Sequence, residues 1–113
     1  MAGPPTISTH VLDLGTGEPA VGVPVAIFRL EPDGRPELLA EMETDDDGRI
    51  PSLVSGGLEA GSYQLVFDVA EYLQEDAEFF ENVAIGFRVD DVERSYHVPL
   101  LLSPFSLATY RGS

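Results

Sequence analysis

Apolar residues recur at every second position through most of this chain, in short stretches that end at Gly, Pro or Asp. That period of two is the signature of half-buried strands. Residues 6–13 form the first such stretch, followed by the turn-rich Gly15-Thr16-Gly17-Glu18-Pro19. In residues 23–31, Val23, Val25, Ile27 and Arg29 alternate with Pro24, Ala26, Phe28 and Leu30. Pro32-Asp33-Gly34-Arg35-Pro36 is a hairpin signal leading into a third strand over residues 37–44. Asp45-Asp46-Asp47-Gly48 forces a turn, and Ser55-Gly56-Gly57 marks a loop. Residues 61–69 and 83–90 alternate again, with Tyr63, Leu65, Phe67 and Val69 on one face, then Val83, Ile85, Phe87 and Val89. Between them, residues 70–76 are good helix formers and predict one short helix. Residues 95–103 form the most hydrophobic strand, Pro104 ends it, and residues 105–111 make a last one. Seven or eight short strands at this spacing predict a mainly β, antiparallel two-sheet sandwich with one helix.

Length and charge narrow the function. At 113 residues the chain reads as a single domain, with residues 1–5 expected as a flexible lead-in. So small a core makes oligomerisation a natural route to further burial. With 20 acidic residues against six basic ones, all Arg, the net charge of -14 repels nucleic-acid phosphates and anionic membranes. No apolar run approaches the ~20 residues that span a bilayer. The first residues have neither the basic nor the apolar region of a secretory signal, so a cytoplasmic protein is expected. Without Cys there is neither a disulfide nor a thiolate metal site.

The candidate chemistry is sparse. The chain's two His are its only side chains that titrate near neutrality unperturbed. His10 shares a strand face with Ser8 and Leu12, and His97 shares one with Pro99 and Leu101. A His on a strand is more often a surface or hydrogen-bonded residue than a catalyst, and two on separate strands do not define a site. Arg49, after three Asp and a Gly, reads either as a loop charge paired with those neighbours or as a planar fork for an anionic or carbonyl-rich heterocycle. The acidic turn lacks EF-hand spacing, and two distant His without a third ligand do not make a zinc site. No phosphate-binding Gly loop or nucleophile elbow is present. The stretch Tyr110-Arg111-Gly112-Ser113 carries a phenol, a guanidinium and a hydroxyl directly after a rigid apolar strand, so it is expected to be ordered and able to insert into a neighbour.

Tyr96-His97-Val98-Pro99-Leu100-Leu101-Leu102-Ser103-Pro104-Phe105, followed by Thr109-Tyr110-Arg111-Gly112-Ser113, resembles the signature of the 5-hydroxyisourate hydrolases, a transthyretin-like family. Ile7-Ser8-Thr9-His10-Val11-Leu12-Asp13 with Gly17-Glu18-Pro19-Ala20 is similar to that family's first strand and turn, and Asp47-Gly48-Arg49 to its central motif. The likeness covers essentially the whole chain. It departs at Leu107 and Ala108, where the family usually has an aromatic and a small hydroxyl residue, and at Glu81, which replaces a Pro.

The resemblance implies a transthyretin-like sandwich that assembles as a homotetramer, a dimer of dimers with active sites at the subunit interface. It implies hydrolysis of the cyclic N1–C6 amide of 5-hydroxyisourate in urate breakdown, without metal or cofactor. Matched residue by residue, His10, Arg49, His97 and Ser113 would be catalytic, and His10, Arg49, Tyr110, Arg111 and Gly112 would bind substrate. His10, supported by His97, would activate water, with the division of labour between them open. Arg49 would stabilise the oxyanion. Two other readings remain: a non-catalytic transthyretin-like carrier of a small ligand, and a structural or adhesion-type sandwich module.

Overall fold

The two-residue period decides which side chains each strand buries. In this computed structural model, which describes residues 3–112, β1 (Ile7–Asp13) buries Ile7, Thr9 and Val11 and turns Ser8, His10 and Leu12 to its other, half-buried face. The flexible lead-in expected for residues 1–5 and the catalytic role expected for Ser113 thus fall partly or wholly outside the described residues. β3 (Pro24–Leu30) buries Val25 and Ile27, and β6 (Gly61–Phe67) buries Tyr63, Leu65 and Phe67. Fully burying a Leu, Ile or Phe contributes about 1.5–3 kcal/mol, so these inward rows hold the sandwich together.

The first sheet contains β2 (Glu18–Pro19), β5 (Arg49–Ile50), β8 (Tyr96–His97), β9 (Leu100–Leu102) and β10 (Leu107–Thr109) around β1. The second runs in the order β4-β3-β6-β7, with β4 at Pro36–Glu43 and β7 at Val83–Val89. The expected two-sheet sandwich is therefore present, with two refinements. β1 runs parallel to β8 and β9, while its pairings with β2 and β5 are antiparallel. The last apolar run, expected as one strand, divides at Val98-Pro99 into β8 and β9, since Pro has no N–H for the ladder. Thr9, buried in β1, ties this join down by donating to the Val98 carbonyl at 2.7 Å.

β4 is an exposed edge in which Leu39 is the extra residue between the Ile27–Ala40 and Phe28–Leu38 pairs. The helix expected over residues 70–76 is a short α1 (Val69–Leu73) continued by a single 3-10 turn, Gln74–Asp76. The Asp68 side chain accepts from the Glu71 N–H at 3.1 Å and caps α1, and Val69 anchors it in the core. The Tyr72 hydroxyl donates to Asp13 Oδ2 at 2.6 Å, clamping α1 to the end of β1. Asp13 Oδ1 accepts from the N–H groups of Gly15 and Thr16 at 2.8 and 3.2 Å, so one carboxylate holds both turn and helix. Burial, then the hydrogen bond to the Asp13 carboxylate, pushes the Tyr72 phenol up to about 12. Among the described residues no helix is long and apolar enough to cross a membrane.

Candidate active site

β1 is the axis of the site because it is paired along both edges. On the parallel edge Ser8 stands opposite His97, and on the antiparallel edge His10 stands opposite Arg49. Registry thus brings together three residues that lie in separate parts of the sequence.

Arg49 is delivered by the acidic turn. Asp45 Oδ1 accepts from the N–H groups of Asp47 and Arg49, both at 2.9 Å, and the Asp45 carbonyl accepts from Gly48 N–H at 2.9 Å. These backbone hydrogen bonds, with Arg49 and His10 close by, hold the Asp45 carboxyl below its ordinary range. Gly48 has φ +73°, and a Cβ there would lie 2.6 Å from the Val11 carbonyl oxygen and 2.9 Å from Pro19 Cβ. The Gly48 carbonyl accepts from Val11 N–H at 2.7 Å, which locks the turn onto β1. Only Gly meets both demands. No ion pair joins the Arg49 side chain to its acidic neighbours among the described residues. Among the described residues the ion pairs are Arg29–Glu59 and Arg35–Asp33, and the Arg49 residue is exposed.

His97 is half-buried, and its Nδ1 lies 2.8 Å from Ser8 Oγ. Burial holds its pKa below the ordinary 6.5, and the charges of Arg49 and His10 add to that effect. Ser8, Thr9, Arg49, Pro51, Ser95 and His97 line an open polar cavity of about 340 Å³.

The residues after β10 approach His97 from elsewhere. Gly112 N–H donates to the His97 carbonyl at 2.8 Å, and the Gly112 backbone lies against the imidazole. A Cβ on Gly112 would collide with Cδ2 of that ring and stand 3.0 Å from its Cγ. The Arg111 guanidinium sits 4.8 Å from the centre of the Tyr96 ring, a cation–π contact. Tyr110 and Arg111 line a second, largely apolar cavity of about 160 Å³, which shares His97 with the first. The structure therefore brings His10, Arg49 and His97 together and lays Gly112 on His97. It places His10, Tyr110 and Arg111 of the same chain outside the lining of the polar cavity. Among the described residues no cluster of three metal-binding side chains is present.

Sequence reasoning passed over Ser8, Asp45 and Tyr96. Ser8 and His10 sharing a face was a usable signal, but the partner of Ser8 is 89 residues away. The capping function of Asp45 depends on the backbone of its own turn, and Tyr96 becomes an Arg platform only once β8 and the residues after β10 have met.

The model of the HIUase/Transthyretin family matches residues 7–112. The chain belongs to this family. Within the HIUase/Transthyretin family it is 42% identical over 120 residues to the 5-hydroxyisourate hydrolase of Deinococcus radiodurans, with all of both chains covered. The solved 5-hydroxyisourate hydrolase of Klebsiella pneumoniae superposes with a TM-score of 0.85 at 34% identity, covering 96% of this chain and 99% of that one. Sea bream transthyretin, solved with thyroxine, superposes with a TM-score of 0.87 at 30% identity, covering 94% and 93%. Backbone shape thus relates this family member equally to a 5-hydroxyisourate hydrolase and to a thyroxine-bound transthyretin, and the side chains must separate the two.

Proposed function

We propose that this member of the HIUase/Transthyretin family is a hydrolase of 5-hydroxyisourate, opening the cyclic N1–C6 amide to give 2-oxo-4-hydroxy-4-carboxy-5-ureidoimidazoline. The observation that carries the reading is the convergence of His10, Arg49 and His97 through the two edges of β1, beside an open polar cavity. Beside the apolar cavity at Tyr110, this arrangement supplies imidazoles and a guanidinium that is in neither ion pair found among the described residues, groups that ligand carriage alone does not need.

Water is a weak nucleophile, and a neutral imidazole can take its proton as it attacks C6. His97, kept neutral at physiological pH by its burial and by Arg49, is ready for that step, with His10 opposite Arg49 beside it. Charge then develops on the C6 oxygen, where the Arg49 guanidinium stabilises it. Losing such a donor typically costs about 2.7–4 kcal/mol. Collapse of the tetrahedral intermediate breaks the C6–N1 bond, and the proton held by imidazole returns to N1. Ser113, which lies outside the described residues, is assigned on sequence alone to hydrogen-bond the substrate or the water.

A homotetramer fits this reading, with the site completed across a subunit interface. Tyr110 is 56% exposed and Phe105 65% exposed, and neither lines the polar cavity of its own chain, so both are available to another copy. Ultraviolet decay of freshly made 5-hydroxyisourate is the test. The wild type should accelerate it well beyond the spontaneous rate, and His10→Ala, Arg49→Ala and removal of residues 110–113 should each abolish most of the gain. No acceleration by the wild type rules out the hydrolase.

A further inference from the structure

The proposed reaction needs one imidazole nitrogen with a free lone pair pointing to the water. A neutral His can place its proton on either nitrogen, so something must choose. The environment of His97 is asymmetric. On the Nδ1 side stands Ser8, whose Oγ is 2.8 Å away and has no other hydrogen-bond partner among the described residues. A hydroxyl can donate or accept, so the chemistry asked of the ring decides: only a proton on Nδ1, given to Ser8 Oγ, leaves Nε2 free to act as a base. Across the ring, the Gly112 backbone leaves no room at Cδ2 for even a methyl group, so it packs directly against the imidazole. Backbone pairing fixes both neighbours: Ser8 stands in register with His97, and Gly112 N–H is bonded to the His97 carbonyl.

We propose that Ser8 is a positioning residue which holds His97 in the Nδ1–H tautomer, so that Nε2 presents its lone pair as the proton acceptor for water. This rests on the hydrolase reading and sharpens it. When Nε2 takes the proton, Nδ1 is already a donor to Ser8, and the resulting imidazolium keeps its hydrogen bond without rearrangement. In the opposite tautomer Nδ1 would accept from the hydroxyl, Nε2 would carry the N–H, and the ring could not act as a base there.

Long-range ¹⁵N–¹H correlation spectra of the full-length protein, at a pH where His97 is neutral, test this directly. The chain has two His, so His10→Gln assigns both rings. The expected spectrum has a protonated Nδ1 and an unprotonated Nε2 on His97. Ser8→Ala should give a mixture of tautomers and lower kcat about 10-fold or more, with KM within about twofold. Ser8→Thr, which keeps the hydroxyl, should restore the single tautomer and most of kcat. A proton on Nε2 in the wild type overturns the proposal, as does a Ser8→Ala protein with unchanged tautomer and kcat. Separately, a His97→Gln protein of wild-type activity overturns the site reading itself, whereas loss of activity in His97→Gln beside an unaffected Ser8→Ala overturns only the role of Ser8.

Discussion

At the scale of single residues, the site depends on a guanidinium and an imidazole that line one cavity. Arg49→Ala should lower kcat by about 10²–10³-fold while leaving the protein folded, because the Arg49 residue is exposed and its guanidinium is in neither ion pair found among the described residues. Unchanged kcat with a raised KM would instead make Arg49 a binding residue only. The pH dependence follows from His97. Its folded pKa is below 6.5, so the unfolded chain binds the proton first. Stability from the neutral ring is complete above 6.5 and is lost as the pH falls through the lower folded value. The NMR titration midpoint of His97 should lie below 6.5, and kcat/KM should decline as the pH falls through it; a midpoint above 6.5 would contradict the burial argument. His10, Arg49 and His97 were each visible in the sequence as the right type of residue. Their meeting was not, because it is decided by strand registry between residues 39 and 89 positions apart.

At the scale of elements, two small devices aim the site. The Asp45–Gly48 turn delivers Arg49 to the edge of β1. Gly48→Ala should destabilise the protein by about 3 kcal/mol, through a strained positive φ and the collision with Val11 and Pro19. The urea midpoint measures this, and an unchanged value would mean that the turn can move off β1. Tyr72→Phe removes the clamp between α1 and Asp13, and a loss of about 1–2 kcal/mol is expected, since the carboxylate keeps its two backbone donors. The long strands were legible because alternation is local. β2 and β5, two residues each, were not, since a pair so short exists only where another strand meets it. The break at Pro99 was hidden in a continuous apolar run: hydrophobicity announced burial there but not that the ladder would be interrupted. Of the departures from the family pattern, Leu107 packs against the core, Ala108 is exposed opposite Leu101, and Glu81 uses its carbonyl to accept from Ala70 N–H at 3.0 Å.

At the scale of the whole molecule, a net charge of -14 on 113 residues opposes compaction. The melting temperature should rise as NaCl shortens the screening length from about 30 Å at 0.01 M to about 8 Å at 0.15 M. A flat response would mean that the carboxylates are already compensated. Light scattering on the eluting protein should give four times the 12.2 kDa protomer mass, and a monomer of full activity would remove the shared site.

The parallel pairing of β1 with β8 has a consequence for synthesis. Ser8 leaves the ribosome 89 residues ahead of the His97 it must meet. At translation speeds of ~5–20 residues per second, β1 waits roughly 5–20 s with that edge unpaired. Such non-local pairing is slow to form and exposes a sticky edge meanwhile. A nascent chain halted before β8 would have Arg49 in place and no imidazole beside Ser8. Catalytic competence would then arrive late and all at once, as the final strands close over the first.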